Sequence, residues 1–165
     1  MSKKNLDMKK PAKKPKLYPE YDDAVSISKV AEAAAVYGNM YANPISILSN
    51  SKRGLKANAA LDFMAISGFT YDEFQETFKT TVKTIQNYVV QDLKLDAVLS
   101  EKLLKSFSLF NLGIDVFGSA GAFHQWLNVP AYGLGNQIPF TLMDTITGIT
   151  LIEDELTRIA YGDLA

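Results

Sequence analysis

The amino-acid sequence predicts an all-α fold, and three observations carry that prediction. Apolar residues recur at three- and four-residue steps along much of the chain. Two Thr-x-x-Glu capping boxes, Thr70–Glu73 and Thr150–Glu153, mark helix starts. Glycines close the periodic runs at Gly38, Gly68, Gly118 and Gly162. With 165 residues and 47% hydrophobic content, the chain can bury the core of one ordinary domain or two small helical ones.

Ser28 to Tyr37 reads as a short helix with Val30, Ala33, Ala34 and Tyr37 on one face. Asn43-Pro44 offers a cap and a first-turn proline, while Ser49-Asn50-Ser51 reads as a break. Leu55 to Ile66 is helical in composition, with Leu61, Met64 and Ala65 as its core residues. Thr70 opens a helix to about Phe78, with Phe74 and Phe78 one turn apart. After Lys79-Thr80 a second short helix runs from Thr81 to about Val89, with Val82, Ile85 and Val89 inward. Leu95 to Leu99 leads to Ser100, and a longer helix follows from about Glu101 to Phe117. It is apolar on more than one side, so it is expected to be buried between subdomains or in a dimer interface. Gly113 within it permits close packing or a bend. Ser119 caps a helix from Ala120 to about Leu127. Residues 128–140 form a compact loop anchored by Tyr132, Leu134 and Ile138. Asp144 and Thr145 lie near a turn, and the second capping box opens the last helix. Ile152, Leu156, Ile159 and Ala160 form its core face, and Glu153, Asp154, Glu155 and Arg158 its polar face.

Charge divides the chain unevenly. Residues 1–20 hold seven lysines against Asp7 and Glu20, and the remainder holds ten basic and sixteen acidic groups. This Lys- and Pro-rich tail is expected to be disordered, as a solubilising segment, a non-specific grip on DNA phosphates or a targeting signal. The absence of cysteine excludes disulfides and thiolate metal sites, and the single histidine, His124, excludes a His-rich metal site. No apolar run reaches membrane-spanning length, and no apolar signal core follows the basic start, so a cytoplasmic protein is expected. No phosphate-cradling glycine loop, metal-ligand cluster or nucleophile–base arrangement is present, so neither enzyme activity nor a cofactor is expected.

The two short helices over about 70–89 fit a helix-turn-helix, a shape that most small helical domains use only as scaffold. If the pair binds DNA, Lys79, Thr81, Lys83, Thr84, Gln86 and Asn87 are the contacting residues. Trp126 reads as core, His124 as a surface or edge histidine, and Asp144 as a turn or cap residue. Tyr161 is equally an interface anchor or a clamp of the last helix.

Phe117-Gly118, Trp126-Leu127, Pro130, Leu134-Gly135, Pro139, Leu142, Asp144-Thr145, Gly148, Leu156, Arg158-Ile159 and Tyr161-Gly162 together resemble the toxin-binding domain of Xre/MbcA/ParS-type antitoxins. Leu55 to about Leu112, including Leu99-Ser100-Glu101-Lys102, resembles the Xre-like helix-turn-helix region of that family. The resemblance implies three segments: a tail over 1–20, a helical region over 21–112, and a toxin-binding domain over 113–165. It implies an antitoxin that binds a RES-like, NAD-consuming toxin, blocks its active site, dimerises and represses its own operon through operator DNA. The alternative is a stand-alone DNA-binding regulator. Carried over residue by residue, Glu155, Arg158, Tyr161, Gly162 and Asp163 become the toxin-facing set, while Trp126, Pro130, Leu134 and Pro139 shape the domain behind it. Two features depart from the family: the turn is Phe78-Lys79-Thr80 rather than small or glycine-containing, and the recognition helix has no arginine.

Overall fold

A computed structural model describes residues 23–162, with side chains from residue 28 onward. The basic tail over 1–20 and Asp163 lie outside the described residues. The described residues are all α, with isolated antiparallel bridges at Lys56–Lys94 and Ala131–Gln137 and no strand. The helices are α1 (Asp23–Tyr37), α2 (Pro44–Arg53), α3 (Asn58–Ser67), α4 (Tyr71–Phe78), α5 (Val82–Val90), α6 (Ala97–Phe117), α7 (Ala120–Leu127) and α8 (Ile146–Ala160). Short 3-10 turns sit at Gly38–Met40, Tyr132–Leu134 and Pro139–Leu142.

The long helix α6 is the centre of the bundle. It packs against α2, α7 and α8, which explains why its apolar residues occupy more than one side. Leu103, Leu104, Leu109 and Phe110 are buried along it. The helix runs through residues 112 and 113, so elements on both sides of that point lean on one support. Gly113 lets the Phe123 ring of α7 lie where a side chain would otherwise stand.

Phe63 of α3 meets Phe69, Phe78, Phe107 and Phe110 edge-on, with ring centroids 5.2–5.5 Å apart. Edge-on contact is the favoured geometry for aromatic quadrupoles, and each such pair adds about 0.5–1.5 kcal/mol beyond its burial. Phe69 continues the cluster to Phe140, and Phe110 continues it to Phe123. On the other side α1 is tied to α3 by a hydrogen bond from the Tyr37 hydroxyl to Asp62 Oδ2 at 2.6 Å. Burial, with the Asp62 carboxylate beside it, pushes the Tyr37 hydroxyl well above its ordinary range.

Several local expectations change in the structure. The expected break at Ser49–Ser51 is continuous helix, because Asn50 Nδ2 donates to Ser46 O and Ser51 Oγ to Leu48 O. Those polar side chains satisfy carbonyls of their own helix instead of opening it. In α3 the inward face belongs to Ala59, Ala60, Phe63 and Ile66, with Leu61 and Met64 half-buried and Ala65 exposed. Helix α6 starts at Ala97 rather than Glu101, since Asp96 accepts from Leu99 N and serves as its cap. Helix α8 starts at Ile146 rather than after Thr150. Thr145 is its cap, accepting from Gly148 N, and Thr150 lies inside the helix with its hydroxyl donating to Ile146 O. Glu153 is therefore free of capping and pairs with Lys105 of α6. The Thr70–Glu73 capping box is formed as read, with both reciprocal bonds present.

Candidate functional site

Helix α8 is held by its apolar face and offers the other. Ile149, Ile152 and Leu156 are fully buried against α6 and its surroundings. The outward side carries Leu151 and Arg158, seven residues apart and so within about 20° of each other around the helix. Tyr161 follows at the end of the helix and is 84% exposed. Gly162 is exposed and takes a left-handed conformation, φ 75°, as the chain leaves the helix.

Glu155 lies between these residues in sequence yet is only 6% exposed. The 3-10 turn Tyr132–Leu134 folds over it, and a Cβ at position 133 would overlap its carboxylate. Any larger residue there would displace the Glu155 carboxylate or the turn. Arg158 Nη1 comes to 3.3 Å from Glu155 Oε2, although that buried oxygen has no aligned hydrogen-bond donor among the described residues. The charge is neutralised while the guanidinium, 46% exposed, stays open to solvent. Arg158 thus stands beside a largely buried carboxylate, one oxygen of which the solvent does not reach. Tyr132, on the same turn, is 77% exposed and stands next to Gly133. Sequence reading spends Tyr132 on anchoring the loop. The structure anchors the loop through Leu134, as expected, together with Ala131, Pro139 and Phe140, while Tyr132 and Ile138 are exposed.

The supporting residues divide in the same way. Trp126 is half-buried and tilts against Phe117 at 5.4 Å, with Phe123 stacked at 5.9 Å. Leu134 packs on the core and Pro139 is buried at the start of its turn, whereas Pro130 is exposed.

Helices α4 and α5, joined by Lys79–Thr81, form a helix-turn-helix. The turn lacks glycine but still uses a left-handed residue, Lys79 at φ 54°. Thr81 caps α5 by accepting from Thr84 N, and the two hydroxyls are 2.9 Å apart. Val82 and Ile85 are buried, leaving Lys83, Thr84, Gln86 and Asn87 exposed together on the outer face. A groove of about 360 Å³ runs beside the turn, between Lys79, Thr84 and Tyr88 on one wall and Asp96, Val98 and Lys102 on the other.

The first helix of this unit is fastened to the C-terminal part at both ends. At its start, Glu73 Oε1 lies 2.9 Å from His124 Nε2 of α7, so His124 is a half-buried partner of the capping box and not a free surface histidine. Burial tends to raise the Glu73 carboxyl, but hydrogen bonds from His124 and Thr70 and the charge of His124 together hold it below its ordinary value. At the other end, Lys102 Nζ donates both to the Thr77 carbonyl and to the Asp144 carbonyl. Burial lowers the Lys102 ammonium, Asp144 opposes that shift, and Lys79 adds to it. Lys79 Nζ in turn lies 3.7 Å from Asp144 Oδ2. No signal short of the tertiary fold links Glu73 to His124, which are 51 residues apart.

Among the described residues no group of three or more His, Cys, Asp or Glu could hold a metal ion. No described helix is long and apolar enough to cross a membrane.

Fold and site together define a small all-α module with a helix-turn-helix and a last helix, α8, that has one buried and one exposed face. Residues 112–162 match the model of the antitoxin Xre/MbcA/ParS C-terminal toxin-binding domain. The chain is also similar to antitoxin Xre of Pseudomonas putida, 28% identical over 81 residues, which are 49% of this chain and 51% of that protein. It spans about half the length of the curated relative it matches. Both matches point to the toxin-binding domain of Xre/MbcA/ParS-type antitoxins as what residues 112–162 resemble.

Proposed function

We propose that this protein is an antitoxin that neutralises a RES-like, NAD-consuming toxin by laying the outer face of α8 into the toxin's active-site cleft. The observation that carries this reading is the positioning of Arg158 by buried Glu155, on a helix face that ends in exposed Tyr161. An arginine with an open guanidinium makes bidentate contacts to a carboxylate, and an exposed tyrosine beside it supplies apolar area at little entropic cost. In this reading Arg158, Tyr161, Gly162 and Asp163 touch the toxin, and Glu155 acts through Arg158. The complex forms in the cytoplasm, with the antitoxin as a homodimer, and represses its own operon.

Co-expression with the product of the adjacent gene tests it. The neighbour should arrest growth alone, and this protein should restore it. The double variant Arg158→Lys/Tyr161→Ala should lose rescue while staying folded, because lysine keeps a cation beside Glu155 but lacks the bidentate guanidinium, and Tyr161 is exposed. A harmless neighbour, or full rescue by the double variant, overturns the proposal.

A stand-alone DNA-binding regulator is the second reading. It is favoured by the exposed amides of Gln86 and Asn87, which can pair bidentately with adenine edges in a major groove. A mobility shift that depends on these two side chains, from a chain without rescue activity, would support it over the first.

A further inference from the structure

Recognition helix α5 carries one cation, Lys83. That is little for a DNA-binding helix, because attraction to phosphates supplies most of the sequence-independent affinity. The fold assembles other cations close to its end. Lys52 and Arg53 form the last turn of α2, Lys56 follows Gly54-Leu55, and Lys94 lies between α5 and α6. Lys56 and Lys94 pair across an antiparallel bridge, with Leu95 N donating to Leu55 O at 2.8 Å. Lys94 Nζ donates to the Arg53 carbonyl at 3.1 Å. Gly54, at φ 72°, makes the approach possible: a Cβ there would lie 2.6 Å from the Leu95 carbonyl oxygen. Buried Ser100 accepts from Leu55 N at 3.0 Å and pins the bridge to α6.

All four cations are exposed, and among the described residues none is in an ion pair. The acidic residues that flank Lys94 in sequence are otherwise placed. Asp96 caps α6 through Leu99 N, and Asp92 sits in the exposed left-handed turn after α5. The dipole of α2 explains basic residues in its last turn. It does not explain Lys56 opposite Lys94, since like charges directly across a bridge are unfavourable. Such a grouping suits an anion that arrives from outside.

The position suits DNA. Leu93 N donates to the Tyr88 carbonyl, which folds the chain back at the end of α5. Lys94 is four residues beyond Val90, so it lies within about 14 Å of the helix end. A B-DNA major groove is about 12 Å wide, so a helix seated in it would bring this platform to the bordering backbone.

We propose that Lys52, Arg53, Lys56 and Lys94 form a bridge-held platform that grips DNA backbone phosphates beside α5, supplying the charge that the recognition helix lacks. The proposal rests on reading α4 and α5 as a DNA-binding unit.

The test measures binding of the full chain to a duplex from its own upstream region, and to an unrelated duplex, over about 50–200 mM salt. Replacing the four residues with glutamine should weaken binding to both duplexes alike. It should also reduce the slope of log K against log salt by about 3 to 4, at roughly 0.9 per phosphate contact. Gln86→Ala/Asn87→Ala should instead abolish the preference for the upstream duplex and leave the slope unchanged. A wild-type slope in the fourfold variant overturns the platform while the DNA-binding unit stands. No affinity of the wild type for either duplex overturns both. Loss of toxin rescue with an unchanged slope reassigns the patch to an acidic protein surface and also overturns the proposal. Should the fourfold variant fail to fold, Lys56→Gln/Lys94→Gln alone should lower the slope by about 2, and an unchanged slope there is equally fatal.

Discussion

Helices α5 and α8 both start at a threonine cap and both turn one face outward, yet they are backed in different ways. Helix α8 seats Ile149, Ile152 and Leu156 at full burial and hides a carboxylate behind its one exposed arginine. Helix α5 seats Val82 and Ile85, and among the described residues no ion pair or side-chain hydrogen bond holds Lys83, Gln86 or Asn87. The difference teaches what each face can hold. A side chain fixed before contact loses little entropy on binding, which suits a dry protein interface with a few dominant contacts. A row of unbacked polar side chains suits a wet surface, where position must come from contacts elsewhere.

The largest test removes the anchor of α8. Leu156→Ala should cost about 2–5 kcal/mol of folding stability by leaving a cavity against α6, measured by urea denaturation. Rescue of growth should fall with it, while DNA affinity under conditions that keep the variant folded should hold. Equal damage to both would mean that α5 and α8 do not differ in backing. A smaller effect is expected of Gly133→Ala. The added methyl overlaps the Glu155 carboxylate, so that side chain or the turn must shift, at about 1–3 kcal/mol. Toxin affinity should drop because Glu155, Arg158 and Tyr132 move together. Unchanged affinity would remove the Glu155–Arg158 positioning from the mechanism.

The smallest effect concerns the fastening between the two regions. The Glu73 carboxyl is held below its ordinary value of 4.5 in the folded protein. A depressed carboxyl contributes stability above the unfolded value, and that stability is lost as pH falls through the folded value. Urea unfolding followed from roughly pH 6 down to pH 3 should therefore show an acid limb that flattens in Glu73→Gln. An identical limb in the variant would show that His124 and Glu73 do not couple α7 to the helix-turn-helix.

Much of the fold was legible because capping and periodicity act within a few residues. Thr70–Glu73 and Ser119 were readable as caps, and Phe74 and Phe78 as an inward pair. The start of α8 differs from the expected one because the capping-box pattern lies at Thr150, while Thr145, which has no glutamate three residues on, is the residue that caps the packed helix. The candidate site was legible as a region but not as a set of roles. Arg158 and Glu155 sit three residues apart on what reads as one polar face, yet the turn at Gly133 buries the second and leaves the first in solvent.

The sequence by itself determined the all-α class and the helix-turn-helix spacing, which follow from residue spacing along one chain, where helix geometry is nearly fixed. The stretch that matches the toxin-binding domain is marked by resemblance and not by spacing. Only the tertiary structure decided that Glu155 stands behind Arg158, that His124 holds Glu73, and that Lys56 meets Lys94. Those contacts span different elements and depend on which faces the shared support of α6 brings together. Burial and charge neutralisation are properties of that arrangement, which no local pattern encodes.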